Sequence, residues 1–369
     1  MIPRSRSLLG AVVMAGALTM TACSSDDGAG VTDLGSESAG SGSGSGSGSG
    51  NGSGSGSGTD SGSSTESDSG SETGSDSGSS TESDSSAETG SSSGSGSGLG
   101  SDLQSESDNA LVTDAVAQYQ TYAVEQATLT QTDTKVLTDA VRAGDLEAAQ
   151  AAYAPSREGW ERIEPLAGLI PELDGTLDSR VDDFAGTDDP DFTGWHRLEY
   201  MLFEDDTTEG GAEFADQLDA DLATLVAEIE SLDIPAGAVP VGASELIEEV
   251  SLGKITGEEN RYAKTDLWDL AANIEGSEYA IELLSPALEE ADPDLNAALD
   301  TAFSELADTL EPLKDGEGWV LYCLENDDFG SDRCPEVTVE PAVVDQLIVQ
   351  TAALSELTSQ VAGALSLES

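Results

Sequence analysis

An abrupt change in side-chain character near Asn109 limits the fold more than any other feature of the sequence. Residues 24–108 consist mostly of Ser, Gly, Asp, Glu and Thr, with almost no apolar side chains. Such a segment cannot bury enough apolar surface to offset the entropy that ordering would cost, so it is predicted to be a disordered linker. Only residues 109–369 can form a hydrophobic core, and their number suits one large helical domain or two fused bundles.

Apolar residues after Asn109 recur at spacings of three and four, as in Leu218, Leu222, Leu225 and Ile229. This spacing places them on one face of an α-helix. Helices are predicted over 156–169, 192–203, 244–252, 265–284, 295–313 and 342–367. Prolines are predicted to fall at or near the intervals between helices, at Pro155, Pro171, Pro190, Pro235, Pro286, Pro293 and Pro341. The sequence therefore predicts an all-α fold of up-and-down helical bundles, arranged as two four-helix bundles packed together.

The N-terminus has the layout of a secretory signal. Arg4 and Arg6 precede an apolar run, Leu8 to Leu18, which is too short to span a bilayer, and small residues then lead to Cys23. A cysteine at this place resembles the lipobox of bacterial lipoproteins. That resemblance implies a signal peptide over 1–22, a lipid on Cys23, a linker over 23–108 and an extracytoplasmic, membrane-anchored protein. An ordinary signal peptide with a chance cysteine is the alternative.

Cys323 and Cys334 are the two remaining cysteines. In an oxidising extracytoplasmic setting, two thiols within one short segment usually pair, so we predict a disulfide between them. The bridge would close a loop that contains Asp327, Asp328 and Gly330. A thiolate metal site is the alternative, although no histidine or further cysteine lies nearby in the sequence.

The formal net charge of −60 excludes several classes of partner. A chain this acidic cannot neutralise a phosphate backbone, so nucleic acid is not expected as a partner, and polyanionic polysaccharide is disfavoured for the same reason. Solubility or adaptation to salt would also explain the acidity, and excess charge alone does not identify a cation ligand.

His196 is the only histidine in the chain, and Glu199 follows it at a spacing that puts both on one helical face. Glu161 and Glu164 have the same spacing, and Asp178 follows shortly afterwards. Taken singly, each acidic pair is more typical of a solvated helix face in so acidic a chain. Composition alone does not choose among them.

Several segments together resemble, in order, the motifs of the imelysin-like EfeO/EfeM family. They are Glu164-Pro165, Leu173-Asp174, Asp178-Ser179-Arg180, Gly194 to Glu199, Lys254 to Glu259, and Thr265 to Asp269 with Asn273 to Gly276. The resemblance runs through most of 109–369. It implies an all-helical pair of bundles and an extracytoplasmic component of an iron-uptake system, which acts beside an iron permease and a haem peroxidase.

The resemblance also implies a metal site in a cleft. The matching positions in this chain are His196, Glu199, Glu161, Glu164, Asp178 and one of Glu258 or Glu259. Arg197 and Arg180 are expected to hold ligand carboxylates, and Lys254 to do likewise. The chain has Ala263-Lys264 where family members often carry Ser-His, and a linker where many EfeO proteins carry a cupredoxin-like domain. It therefore resembles the shorter EfeM type.

One imidazole with several carboxylates forms a hard, anionic site, which suits Fe(III), with Zn, Ca or Mn as alternatives. The sequence thus predicts a lipid-anchored protein that captures iron and delivers it to a permease, and no enzymatic activity. An imelysin-like metallopeptidase is one alternative, although zinc proteases need two histidines around a glutamate. A cell-wall adhesion or spacer module is another. A ferroxidase is disfavoured, because two-iron sites normally use two Glu-x-x-His pairs.

Overall fold

The fold consists mainly of α-helices, most of them joined by short connections, with longer connections over 178–193 and 311–340. The computed structural model describes Leu103 and residues 106–327 and 329–367, so Cys23, the predicted signal peptide and most of the predicted linker lie outside the described residues. The α-helices are α1 (Ala110–Ala143), α2 (Leu146–Ile163), α3 (Pro171–Leu177), α4 (Gly194–Phe203), α5 (Ala212–Ser231), α6 (Ala238–Leu252), α7 (Asp266–Ala291), α8 (Pro293–Leu310), α9 (Pro341–Thr358) and α10 (Val361–Ala364). The predicted all-helical fold class is confirmed.

Short irregular elements connect the helices. Short 3₁₀ helices span Glu164–Leu169, Val181–Asp183, Lys254–Thr256 and Glu311–Leu313. Two short strands, β1 (Lys314–Asp315) and β2 (Gly318–Trp319), pair antiparallel with Lys314 opposite Trp319. Among the described residues, no helix combines the length and the apolar character needed to cross a membrane.

Local sequence signals set the turn between α1 and α2. The Asn109 side chain accepts a hydrogen bond from the Leu111 N–H and so caps the start of α1. The helix ends at Gly144, whose φ of 74° lies in the left-handed region that glycine adopts without strain. Asp145 follows at once and caps α2 by accepting from the Ala148 N–H. The two helices can therefore run side by side as a hairpin.

The helices pack in two groups that share α7. In the first group α1 lies along α2 and α5, and α4 packs on α2 and α5. In the second group α6 lies along α9, and α8 packs on α9. Helix α7 contacts α1 and α2 of the first group and α6 and α8 of the second. Its contact with α2 is close, because a Cβ added to Gly276 would lie 2.1 Å from the Arg162 carbonyl oxygen.

The prediction that Pro155 and Pro286 separate helices was wrong. Pro155 lies inside α2 and Pro286 lies inside α7. A proline in a helix costs one backbone hydrogen bond, but buried side chains on both sides can hold the helix in place. In α2 these are Tyr153 and Trp160, which are 0% and 1% exposed. Helix α2 consequently begins at Leu146, ahead of the predicted start.

Candidate metal centre

Three side chains from different parts of the chain lie close together near the C-terminal end of α3. Asp178 directly follows α3, His196 lies in the first turn of α4, and Glu259 lies in the connection between the Lys254–Thr256 turn and α7. Each offers a possible ligand atom, and these atoms all lie within 4.8 Å of one another. The side chains of His196 and Glu259 are 2% exposed and that of Asp178 is 7% exposed. The three side chains therefore form a nearly enclosed donor set.

Glu199 fixes the orientation of the His196 ring. Its Oε2 lies 2.9 Å from His196 Nδ1, and its Oε1 accepts hydrogen bonds from the Tyr262 N–H at 2.8 Å and the Ala263 N–H at 2.9 Å. Because a carboxylate only accepts, this arrangement places a proton on Nδ1. Both oxygens of Glu199 are thus engaged by hydrogen bonds, and Glu199 orients the His196 ring.

The other ring nitrogen of His196 faces the remaining two carboxylates. Nε2 lies 3.4 Å from Asp178 Oδ1 and 3.7 Å from Glu259 Oε1. It forms no hydrogen bond within the described part of the chain, although it is buried. A buried polar atom without a partner is uncommon in folded proteins. One imidazole nitrogen and two carboxylate oxygens therefore point into the same small space.

Arg157 lies beside this donor set, and the sequence analysis did not identify it. Its guanidinium, which is 0% exposed, contacts Asp178, and Glu259 Oε1 lies 3.0 Å away. It also pairs with Glu161 and, at 3.0 Å, with Asp269. Burial alone would raise the pKa of Asp178, but Arg157 and His196 together hold that pKa well below its usual range. Asp178 therefore stays ionised and ready to bind a cation.

Trp160 makes a further contact with Asp178. The indole Nε1–H donates to Asp178 Oδ2 at 2.7 Å, and Trp160 is 1% exposed. The two Asp178 oxygens therefore have different environments. Oδ2 is held by the indole, whereas Oδ1 lies nearest to Arg157 and His196.

Glu161 and Glu164 form ion pairs with Lys254. The ammonium nitrogen lies 2.8 and 2.9 Å from the two Glu164 oxygens and 3.2 Å from Glu161 Oε2. The amide of Asn273 also donates to both carboxylates, at 2.9 Å and 2.7 Å. Burial would lower the pKa of Lys254, but Glu161 and Glu164 raise it well above its usual value. The structure thus places these two predicted ligands around a cation of the protein itself.

Of the two adjacent glutamates, Glu259 points inward. The Glu258 side chain is 29% exposed, and its Oε1 lies 3.5 Å from Arg180 Nη2. Arg180 also pairs with Glu259, and it was predicted to hold a ligand carboxylate in this way. The sequence alone did not choose between the two glutamates.

Arg197 does not reach the ligand carboxylates, unlike the prediction. It lies over the rings of Phe192, Tyr200 and Phe214 and donates to the Thr187 carbonyl. Arg197 follows His196 directly, and consecutive helical residues point about 100° apart, since 3.6 residues make one turn. Its side chain is therefore directed away from the donor set.

A disulfide-closed loop supports the backbone that binds Glu199. Cys323 and Cys334 are joined by a disulfide with their Cα atoms 5.4 Å apart. Arg333 of this loop donates through Nε to the Ala263 carbonyl at 3.2 Å. Lys264 Nζ lies 2.6 Å from Asp327 Oδ2 of the same loop. The loop therefore holds the segment that supplies two N–H groups to Glu199.

The protonation of His196 follows from these contacts. Burial and the nearby Arg157 charge would lower the pKa of His196, but Asp178, Glu199 and Glu259 outweigh them and raise it to about 10. His196 is therefore protonated at neutral pH, and a metal ion would have to displace the Nε2 proton. The resulting donor set of one nitrogen and two oxygens is hard and anionic, and it suits a small, highly charged cation.

Comparison with known proteins agrees with this chemistry. The sequence model of the imelysin family matches residues 115–361. Proteins named iron uptake system component EfeO from Escherichia coli O157:H7, Escherichia coli strain K12 and Shigella flexneri are each 46% identical over 209 residues. The match covers 56% of this chain and 56% of each relative, so the chain spans little more than half the length of these curated relatives. The family match, which covers most of the residues after Asn109, establishes that the chain belongs to the imelysin family.

Proposed function

We propose that this protein is an extracytoplasmic iron-binding component of an uptake system, which captures iron and passes it to a membrane permease. The observation that carries the proposal is the environment of His196. Its Nδ1 is held by Glu199, while its Nε2 is buried, forms no hydrogen bond with any residue that the structure describes, and faces Asp178 and Glu259. The relatives named as iron uptake components support iron as the ion.

The proposed ligands are His196 Nε2 and one oxygen each from Asp178 and Glu259. Three protein donors occupy half the positions of a six-coordinate ion, which leaves the others for water or for a chelator that accompanies the iron. Such incomplete coordination suits a carrier, because the ion must also be released. Fe(III) is favoured over Zn, Ca and Mn because its higher charge gains more from the surrounding carboxylates.

Arg157, Lys254 and Arg180 have a separate part in this proposal. They neutralise much of the carboxylate charge in the absence of the ion, so the cleft need not be open or unfolded when empty. Glu199 orients the imidazole in the way that outer carboxylates orient metal-bound histidines in other proteins.

Other parts of the proposal depend on residues outside the described part of the chain. A lipid on Cys23 would anchor the protein to the outer face of the membrane, and the Ser/Gly-rich segment would let the helical domain reach away from it. An iron permease and a haem peroxidase of the same system are the proposed partners. The position of this linker before the helical domain supports the EfeM type.

A peptidase is the second candidate, because the matching family model carries a peptidase name. A hydrolytic zinc site uses three protein ligands and an open position for water, and the donor set here has that number of ligands. It lacks the second histidine of the common zinc-protease motif, since His196 is the only one in the chain. Cleavage of casein by the purified protein, abolished by EDTA, would support the peptidase instead.

Calorimetric titration of the full chain tests the proposed function. Ferric citrate, Zn²⁺, Ca²⁺ and Mn²⁺ are titrated into the wild type, His196→Ala and Glu258→Gln. We expect the wild type to bind ferric iron most tightly and His196→Ala to lose at least tenfold in affinity. Glu258→Gln is the matched control, because Glu258 is partly exposed and lies outside the donor set. Failure of the wild type to bind any of these ions would reject the proposal.

A further inference from the structure

Lys254 has surroundings that resemble those of a bound metal ion. Its Nζ lies 2.8 and 2.9 Å from the two oxygens of Glu164, 3.2 Å from Glu161 Oε2 and 3.5 Å from Glu259 Oε1. Lys254 is 2% exposed, and Glu161 is 0% exposed. Oxygen atoms from three carboxylates thus surround one positive charge away from solvent, which is the arrangement that hard cations receive in proteins.

Glu259 connects this position to the proposed iron site. Its Oε1 lies 3.5 Å from Lys254 Nζ and 3.7 Å from His196 Nε2. A single carboxylate therefore faces two neighbouring cation positions. Carboxylates that face two positions in this way also bridge the metal ions of two-metal sites in helical proteins.

The side chains around Lys254 are held in place by more than one element, as they are at the first position. Glu161 lies on α2, Glu164 begins the turn that follows, and Asn273 lies on α7. The Asn273 amide is 0% exposed and donates to both glutamates, and so fixes the direction of their oxygens from the opposite helix. The buried Asn273 Oδ1 has no hydrogen-bond partner among the described residues.

We propose that Lys254 permanently occupies the second of two adjacent cation positions and thereby limits this cleft to a single metal ion. The inference rests on the proposed function for the first position only. A tethered ammonium cannot dissociate, so Glu161 and Glu164 stay neutralised whether or not iron is present. Repulsion among the buried carboxylates therefore changes little when the iron leaves, and a second ion is excluded by both charge and space.

The test counts metal ions bound to the full chain and to two variants at the same position. Lys254→Ala removes the charge and opens the space, whereas Lys254→Arg keeps the charge as the matched control. Mn²⁺ is the probe, since it is stable in its divalent state and gives an electron paramagnetic resonance spectrum. Bound manganese per chain is measured by elemental analysis after gel filtration.

Lys254→Ala is expected to bind one more Mn²⁺ ion per chain than the wild type and to show the spectrum of two exchange-coupled ions. Lys254→Arg is expected to bind the same number as the wild type. An equal count for Lys254→Ala and the wild type would overturn the inference. The inference is tested by the difference in bound Mn²⁺ between Lys254→Ala and the wild type, so the test also works if the wild type binds no ion. Absence of binding by the wild type would instead count against the proposed function.

Loss of a buried charge can also prevent Lys254→Ala from folding. In that case, circular dichroism is recorded before and after addition of Mn²⁺. Recovery of the helical signal would support the inference, because the ion would then replace the ammonium. Lys254→Ala that stays unfolded at saturating Mn²⁺, while Lys254→Arg folds, would contradict it, because the position left by the ammonium would then accept no ion.

Discussion

Replacing Glu199 with glutamine should weaken metal binding by about 10–100-fold while leaving the fold intact. Glu199 accepts three hydrogen bonds, from His196 Nδ1 and from the backbone of Tyr262 and Ala263. In Glu199→Gln the amide oxygen can still accept from both backbone groups. The amide NH₂ then faces His196 and can only donate, so Nδ1 must become the acceptor and the ring proton must move to Nε2. The nitrogen proposed to bind iron would thus be blocked.

The size of the effect follows from these contacts. Mutation of outer partners of metal-bound histidines typically lowers metal affinity about 10–100-fold, which corresponds to roughly 1.4–2.7 kcal/mol. The free energy of unfolding should fall by only about 1–2 kcal/mol, because a charge-assisted hydrogen bond becomes a neutral one and the backbone partners are kept. The two losses are therefore of similar size, so metal affinity and stability are measured separately.

The single histidine makes the assay direct. With ¹⁵N-labelled histidine, the two ring nitrogens of His196 give the only imidazole signals in the chain. Near pH 11, above the His196 pKa of about 10, we expect a proton on Nδ1 in the metal-free wild type and on Nε2 in Glu199→Gln. Calorimetry at neutral pH measures the loss of affinity, and Glu258→Gln is the control for loss of one negative charge. Wild-type affinity in Glu199→Gln, with the proton still on Nδ1, would refute the reasoning.

Three further predictions concern pH, packing and the disulfide. Because the pKa of His196 is raised to about 10, a proton competes with the metal for the imidazole below that pH. The metal affinity should therefore rise about tenfold per pH unit between pH 6 and 9, and a pH-independent affinity would contradict this. Calorimetry in buffers of different ionisation enthalpy should show one proton released for each ion bound. Gly276→Ala should lower the free energy of unfolding in urea by about 2–3 kcal/mol, since the added Cβ would lie 2.1 Å from the Arg162 carbonyl oxygen. Gly175→Ala is the control and should not destabilise the fold, because the atom nearest to its added Cβ is 3.7 Å away. Replacing both disulfide cysteines with serine should lower the free energy of unfolding by about 2–4 kcal/mol, and equal midpoints in urea would argue against a stabilising disulfide.

The sequence predicted the fold class well because the helical signal is local. Apolar spacing on α5 and capping at Asn109 involve residues within one or two turns of each other. The boundaries at Pro155 and Pro286 could not be predicted in the same way. Whether a helix continues through proline depends on the buried contacts of its neighbours, which only the assembled bundle provides.

The candidate site was predictable only where its residues lie close together in the sequence. The spacing of His196 and Glu199 correctly placed them on one face, but not their contact with the backbone at Tyr262. Arg157 gave only one local signal, its spacing of four residues from Glu161 on α2, because its other partners Glu259 and Asp269 lie 102 and 112 residues away in the chain. Lys254 was expected to hold a ligand carboxylate, but the sequence did not specify Glu161, which lies 93 residues away in the chain, as its partner.

The hydrogen bond between Trp160 and Asp178 gives the protein an intrinsic optical reporter. An ion bound at Asp178 would lie within a few ångströms of an indole that is 1% exposed and donates to the same carboxylate. The indole of Trp195 lies next to it, with 6.4 Å between the ring centroids. Paramagnetic ions quench indole fluorescence at such short range, whereas Ca²⁺ and Zn²⁺ do not. If the proposed site binds iron, tryptophan emission should therefore follow its loading and release in real time, without any attached dye.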